Sequence, residues 1–232
     1  MIEIYISYFS NQPIVCLAVF ITLVPLVLIV CRRAYVDPTF LLLFIYLFIK
    51  FGVDLLMLHY ASQRKNNIIY YNLGIPIFYS VLSIMFYKKL TFNNFRKWIP
   101  LTIIAFVIFS LWDILNSNPD LTKLHDHRAV FFSKTLECLL MITWILLYFY
   151  EIIKTLKIPN LLTFPFFWVC SGLLLNYSST IFISPVLYYT DTWIDRLDIG
   201  FLYDVPLIFE IICSISFCIG IWVFSAKYYA QQ

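Results

Sequence analysis

Glycine is scarce in this chain, five among 232 residues, histidine is scarcer at three, and only 12% of residues are charged. Each shortage removes a class of function. The glycine-serine elbow of serine hydrolases is missing, and the hydroxyl-rich stretch CSGLLLNYSS at 170–179 has no histidine near it to serve as a base. Seven-helix metal hydrolases need histidines inside helices, and the last apolar run, centred on FEIICSISF, contains none. Lysine is absent between Phe201 and Ser225, which excludes a retinal Schiff base there. The cysteines, Cys16, Cys31, Cys138, Cys170, Cys213 and Cys218, lack metal-ligand spacing and read as small apolar fillers. No cofactor is expected, and an enzyme is disfavoured.

What remains is hydrophobic: 62% of the residues are apolar and 20% aromatic, with a mean hydropathy of +0.86. Soluble domains do not have this composition. Runs long enough to cross a bilayer, about 20 residues each, lie at 12–31, 39–60, 68–87, 98–115, 129–150, 164–188 and 201–224. The expected fold is an all-α polytopic membrane protein, one seven-helix transmembrane domain over 1–232 with no soluble domain. Residues 1–11 hold Glu3 and neither Lys nor Arg, so the first run is expected to be retained rather than cleaved as a signal peptide.

The basic residues predict an orientation. Arg32, Arg33, Lys88, Lys89, Arg96, Lys97, Lys154, Lys157 and Lys227 fall on one side, and only Arg64, Lys65, Lys123, Arg128 and Arg196 on the other. The positive-inside rule then puts the N-terminus outside and the C-terminus in the cytoplasm. This asymmetry accounts for the net charge of +3 without a nucleic-acid partner. Membrane lipid is the expected partner, and KKLTFNNFRK at 88–97 could meet anionic lipid or a signalling partner. Trp98, Trp112, Tyr188, Tyr189, Trp193 and Trp222, near the ends of runs, read as interfacial anchors.

Charge inside the apolar runs is the informative exception. In LFIKFGVDLLML at 47–58, Lys50 and Asp54 stand four apart, so they share a helix face and can neutralise one another. An unpaired charge at that depth costs about 3 kcal/mol on insertion scales, which turns this face into the bundle. Lys134 and Glu137, three apart, repeat the arrangement in the fifth run. Asn72, Asp113, Asn176, Asp204 and Glu210 fall between midplane and the same membrane side. These nine residues are expected to line an outward-opening polar vestibule, closed toward the cytoplasm by aromatic and aliphatic packing. Two lysines against five acids leave a surplus of three carboxylates, which suits a small cationic or amphipathic ligand, protons or a hydrated metal ion. The competing reading is an ion-pair network that only fixes the helices. His59, His125 and His127 are weak metal candidates, with Asp126, Asp191, Asp195 and Asp198 as possible oxygen donors.

A faint internal repeat is also legible. Gly52 and Asp54 of the second run parallel Gly172 and Asn176 of the sixth, and YYNLGIPIFY parallels FLYDVPLIFE, leaving the fourth run unmatched. Pro76, Pro185 and Pro206 interrupt membrane helices where a bend suits a cavity. The stretches PFFWVCSGLLLNYSS after KIPN, YDVPLIFEIICSI, and IYLFIKFGVDLLMLHYA followed by YYNLGIPIFYSVL resemble small uncharacterised seven-helix membrane proteins of Bacteroidetes-type bacteria. Such proteins are often found beside sensor histidine kinases. The resemblance implies a sensory or regulatory membrane protein and supplies no ligand or catalytic residue. A receptor signalling through a partner is therefore expected. A small-solute or ion transporter with a three-one-three helix arrangement, or a structural subunit of a membrane complex, are the alternatives.

Overall fold

The computed structural model describes residues 2–120, 127–155, 160–190 and 200–230. Seven of its helical segments are long and apolar enough to cross a membrane. A short helix α1 (Ile2–Asn11) precedes the first span, which is itself two helices, α2 (Pro13–Ile21) and α3 (Leu23–Cys31). The break has a covalent cause. Pro25 lacks the N–H that would bond the Ile21 carbonyl, and Thr22 Oγ1 donates back to the Ala18 carbonyl at 3.2 Å.

The second span, α4 (Pro38–Ser62), opens on Asp37, whose carboxylate accepts from the backbone N–H of Thr39 at 2.7 Å and of Phe40 at 3.4 Å. It closes without glycine. Arg64 takes the left-handed conformation at φ 56°, and the Lys65 N–H reaches the Tyr60 carbonyl at 3.0 Å. The chain continues through α5 (Ile68–Lys89), a single turn α6 (Asn93–Arg96), α7 (Ile99–Ser117), α8 (Phe131–Thr155), α9 (Pro165–Thr190) and α10 (Gly200–Ala230).

Neighbour relations define the architecture. The first span packs on α4 and α10, α4 on α5, α5 on α8, α8 on α9, and α9 on α10. Six spans thus close a ring. The fourth span, α7, lies outside it against α5 and α8. Its Leu101, Ile104, Ile108 and Trp112 are more than half exposed, as a lipid-facing surface requires. The ring order repeats after four spans: first to third, then fifth to seventh, with α5 meeting α8 as α10 meets the first span.

The two faces of the ring are filled differently. Away from α1, the interior is packed by Leu43, Tyr79, Leu82, Met85, Phe86, Met141, Ile145, Phe166, Val169 and Phe217, all at most 2% exposed. Tyr148 meets Phe166 edge-on with ring centres 4.9 Å apart. One polar chain crosses this half: Trp144 Nε1 donates to the Tyr79 hydroxyl at 3.3 Å, which donates to Thr102 Oγ1 at 3.1 Å. Helices α9 and α10 approach closely. A Cβ added at Gly172 would stand 2.8 Å from the Ser216 Cβ, and one at Gly220 2.8 Å from the Pro165 carbonyl oxygen. Small residues at such contacts let membrane helices pack through their backbones.

Candidate functional site

The half of the ring nearer α1 holds a cavity of about 310 Å³. Every ring span contributes: Val15, Ala18 and Val19 from α2; Tyr46, Lys50, Asp54 and Met57 from α4; Tyr71, Ile75 and Phe78 from α5; Lys134 and Glu137 from α8; Asn176, Tyr177 and Thr180 from α9; and Pro206, Leu207 and Glu210 from α10. Tyr8 of α1 completes the rim. The excluded span α7 supplies nothing to it.

Two charged nodes stand in the wall. Lys50 Nζ donates to Asp54 Oδ2 and to Glu210 Oε1, each at 2.6 Å, so one ammonium serves two carboxylates from different helices. The three side chains are 15%, 16% and 22% exposed, open to the cavity. The second node is shut. Lys134 Nζ donates to Glu137 Oε2 at 2.8 Å, and the Tyr177 hydroxyl donates to Glu137 Oε1 at 3.1 Å, so both carboxylate oxygens are used and Glu137 is 1% exposed. The Lys134 ammonium lies 5.8 Å from the Tyr71 ring centre and 5.7 Å from that of Tyr177, within cation–π range.

Six of the nine expected vestibule residues therefore meet at one cavity: Lys50, Asp54, Lys134, Glu137, Asn176 and Glu210. Asn72, Asp113 and Asp204 are not among its lining residues, which corrects the expectation of a single polar set. Asp113, 1% exposed, accepts from the Ser133 N–H at 2.8 Å and the Ser133 hydroxyl at 2.6 Å. It caps the free first-turn donors of α8, where a negative charge is also favoured by the helix dipole. Asn72 accepts from the Val130 N–H at 3.1 Å and donates to the Arg128 carbonyl at 2.9 Å. Asn118 brackets Arg128, accepting its N–H at 2.7 Å and donating to its carbonyl at 3.2 Å, and Asn66 donates to the His127 carbonyl at 2.9 Å. Three asparagines thus serve the backbone groups of segment 127–130, which lies outside any helix.

The cavity's own charge count follows. Its two lysines face three carboxylates, a formal surplus of one acid in place of the three expected from sequence.

A buried acid also stands at the edge of the opposite half. Glu151, 5% exposed at the far end of α8, accepts from the Thr91 N–H at 2.8 Å, the Phe92 N–H at 3.2 Å and the Thr91 hydroxyl. It ties the turn before α6 to α8. Sequence reasoning passed over it because the fifth apolar run ends at 150, one residue short.

Among the described residues no three His, Cys, Asp or Glu side chains gather as a metal site. His59 is engaged elsewhere, its Nδ1 2.5 Å from the Tyr5 hydroxyl and its Nε2 2.9 Å from Gln63 Nε2. His127 is buried at 3% exposure, with no hydrogen-bond partner for either ring nitrogen among the described residues. His125, Asp126, Asp191, Asp195 and Asp198 lie outside the described residues.

No protein-family model matches the chain, nor does any curated protein or solved structure searched for similarity. The resemblance drawn from the hydrophobic motifs rests on those motifs alone.

Proposed function

We propose that this chain is an integral-membrane receptor whose intramembrane cavity binds a small ligand and passes occupancy to the opposite membrane face. The observation that carries this reading is the cavity's position: six spans converge on it, and it stops at a packed core instead of continuing through. The basic residues argue for the cavity side being external and the KKLTFNNFRK turn cytoplasmic, and the resemblance argues for a bacterial inner membrane. Ligand entry repacks α8, α9 and α10 around Glu137, Asn176 and Glu210, and the tightly seated α9–α10 pair carries the shift to a cytoplasmic or membrane partner.

Transport is the second reading, and one observation favours it. The ring is two sets of three spans in the same order, the plan of carriers built from parallel repeats.

The test uses the purified protein with fluorophores on the basic-face ends of α8 and α10. Protein stability is measured across a panel of small cationic and amphipathic ligands, followed by uptake into proteoliposomes. A ligand that raises stability and changes the fluorescence without being taken up supports a receptor. Saturable uptake converts the reading to transport. No stabilisation by any ligand removes both and leaves a structural subunit.

A further inference from the structure

We propose that the cavity's ligand is an alkylammonium amphiphile, a primary or secondary amine carrying an apolar body, with its cation held between Asp54 and Glu210. This rests on the reading of the cavity as a ligand site and names the chemistry of its guest.

Lys50 is bound to one oxygen of Asp54 and one of Glu210, and both carboxylates stay open to the cavity. The second oxygen of each has no hydrogen-bond partner among the described residues. Glu137, whose two oxygens are both taken, shows what a completed site looks like in the same wall. Both free oxygens face the cavity, and a donor that also brings positive charge binds a half-served acid pair more strongly than neutral water does.

The acceptors select the donor type. Free carboxylate oxygens want N–H groups, which primary and secondary ammonium ions offer and a quaternary one does not. No three His, Cys, Asp or Glu side chains gather among the described residues, as a cage built wholly from protein ligands requires. Besides the closed Lys134–Glu137 pair and the polar Asn67, Asn176 and Thr180, the lining is apolar or aromatic, with Tyr46, Tyr71, Phe78, Val19, Met57 and Leu58 facing the same space. Rings beside a cation and aliphatic side chains beyond it fit an organic ammonium. At about 310 Å³ the space admits one small molecule.

The experiment compares 2-phenylethylamine with its neutral isostere 2-phenylethanol on the full-length protein in non-ionic detergent, following thermal stability and calorimetric binding at neutral pH. The amine is expected to stabilise saturably and to bind at least tenfold more tightly than the alcohol. Asp54→Asn and Glu210→Gln are each expected to weaken the amine at least tenfold while sparing the alcohol. Equal binding of amine and alcohol would overturn the cation assignment while leaving the cavity a ligand site. Binding of neither, with acidification alone stabilising the protein, would mean that the acids take a proton, and the assignment falls. Should the receptor test's whole panel also fail to bind, the ligand-site reading falls with it. Where the variants do not fold, the wild-type comparison of amine with alcohol still decides.

Discussion

Lys50 and Lys134 stand in the same cavity wall, each beside an acid three or four residues along its own helix, yet their surroundings differ. Around Lys134 every acceptor is used: Glu137 is sealed by the ammonium and the Tyr177 hydroxyl. Around Lys50 one cation is divided between two acids that remain partly open. The first arrangement fixes helix positions. The second leaves capacity unspent, and the comparison separates the structural from the functional part of a network that sequence presents as one set of charges.

Removing the shared cation is expected to have the largest effect. Lys50→Ala leaves Asp54 and Glu210 facing each other at lipid depth and is expected to destabilise the protein by about 3–5 kcal/mol, read as a lower unfolding midpoint in mild detergent. Next in size is a matched pair of neutralisations. Glu137→Gln strands Lys134 and is expected to cost about 3 kcal/mol, whereas Glu210→Gln leaves Lys50 its Asp54 partner and is expected to cost no more than about 1 kcal/mol. Equal losses in the two would erase the distinction between closed and open nodes.

A smaller effect is expected where helix backbones meet. Gly172→Ala on α9 forces a methyl against Ser216 and the Cys213 carbonyl, at an expected cost of about 1–3 kcal/mol in thermal unfolding. Smallest and opposite in sign is Gly52→Ala, between Lys50 and Asp54. A Cβ there meets nothing within 4 Å, so the expected change is a gain of about 0.4–1 kcal/mol from the lower entropy of the unfolded chain.

Those two glycines also mark how far sequence could see. They occupy parallel positions in the faint repeat, but one lies at a close helix contact and the other in open space, a difference set by neighbours distant in sequence. The spans themselves were legible because a run of some twenty apolar residues has few other uses. The pairs Lys50 with Asp54 and Lys134 with Glu137 were legible because helical spacing brings them together. The bond from Lys50 to Glu210 joins residues 160 positions apart, and no local pattern announces it. Asp113 and Asn72 looked like ligand-binding groups because depth alone was visible. Their true acceptors and donors, Ser133 and the 127–130 backbone, became evident only in three dimensions.

The pairing pattern also bears on how the protein is made. Helices enter the membrane in chain order, and Lys50 and Lys134 each arrive with a counterion built into the same helix. Neither needs the rest of the bundle to be tolerated by lipid. Glu210 has no such companion: it reaches the bilayer in the last span and joins an ammonium inserted long before. Closing the ring and seating this acid are therefore one event in biogenesis, and a chain interrupted before the seventh helix would hold its first two charge pairs in place while lacking the open site altogether.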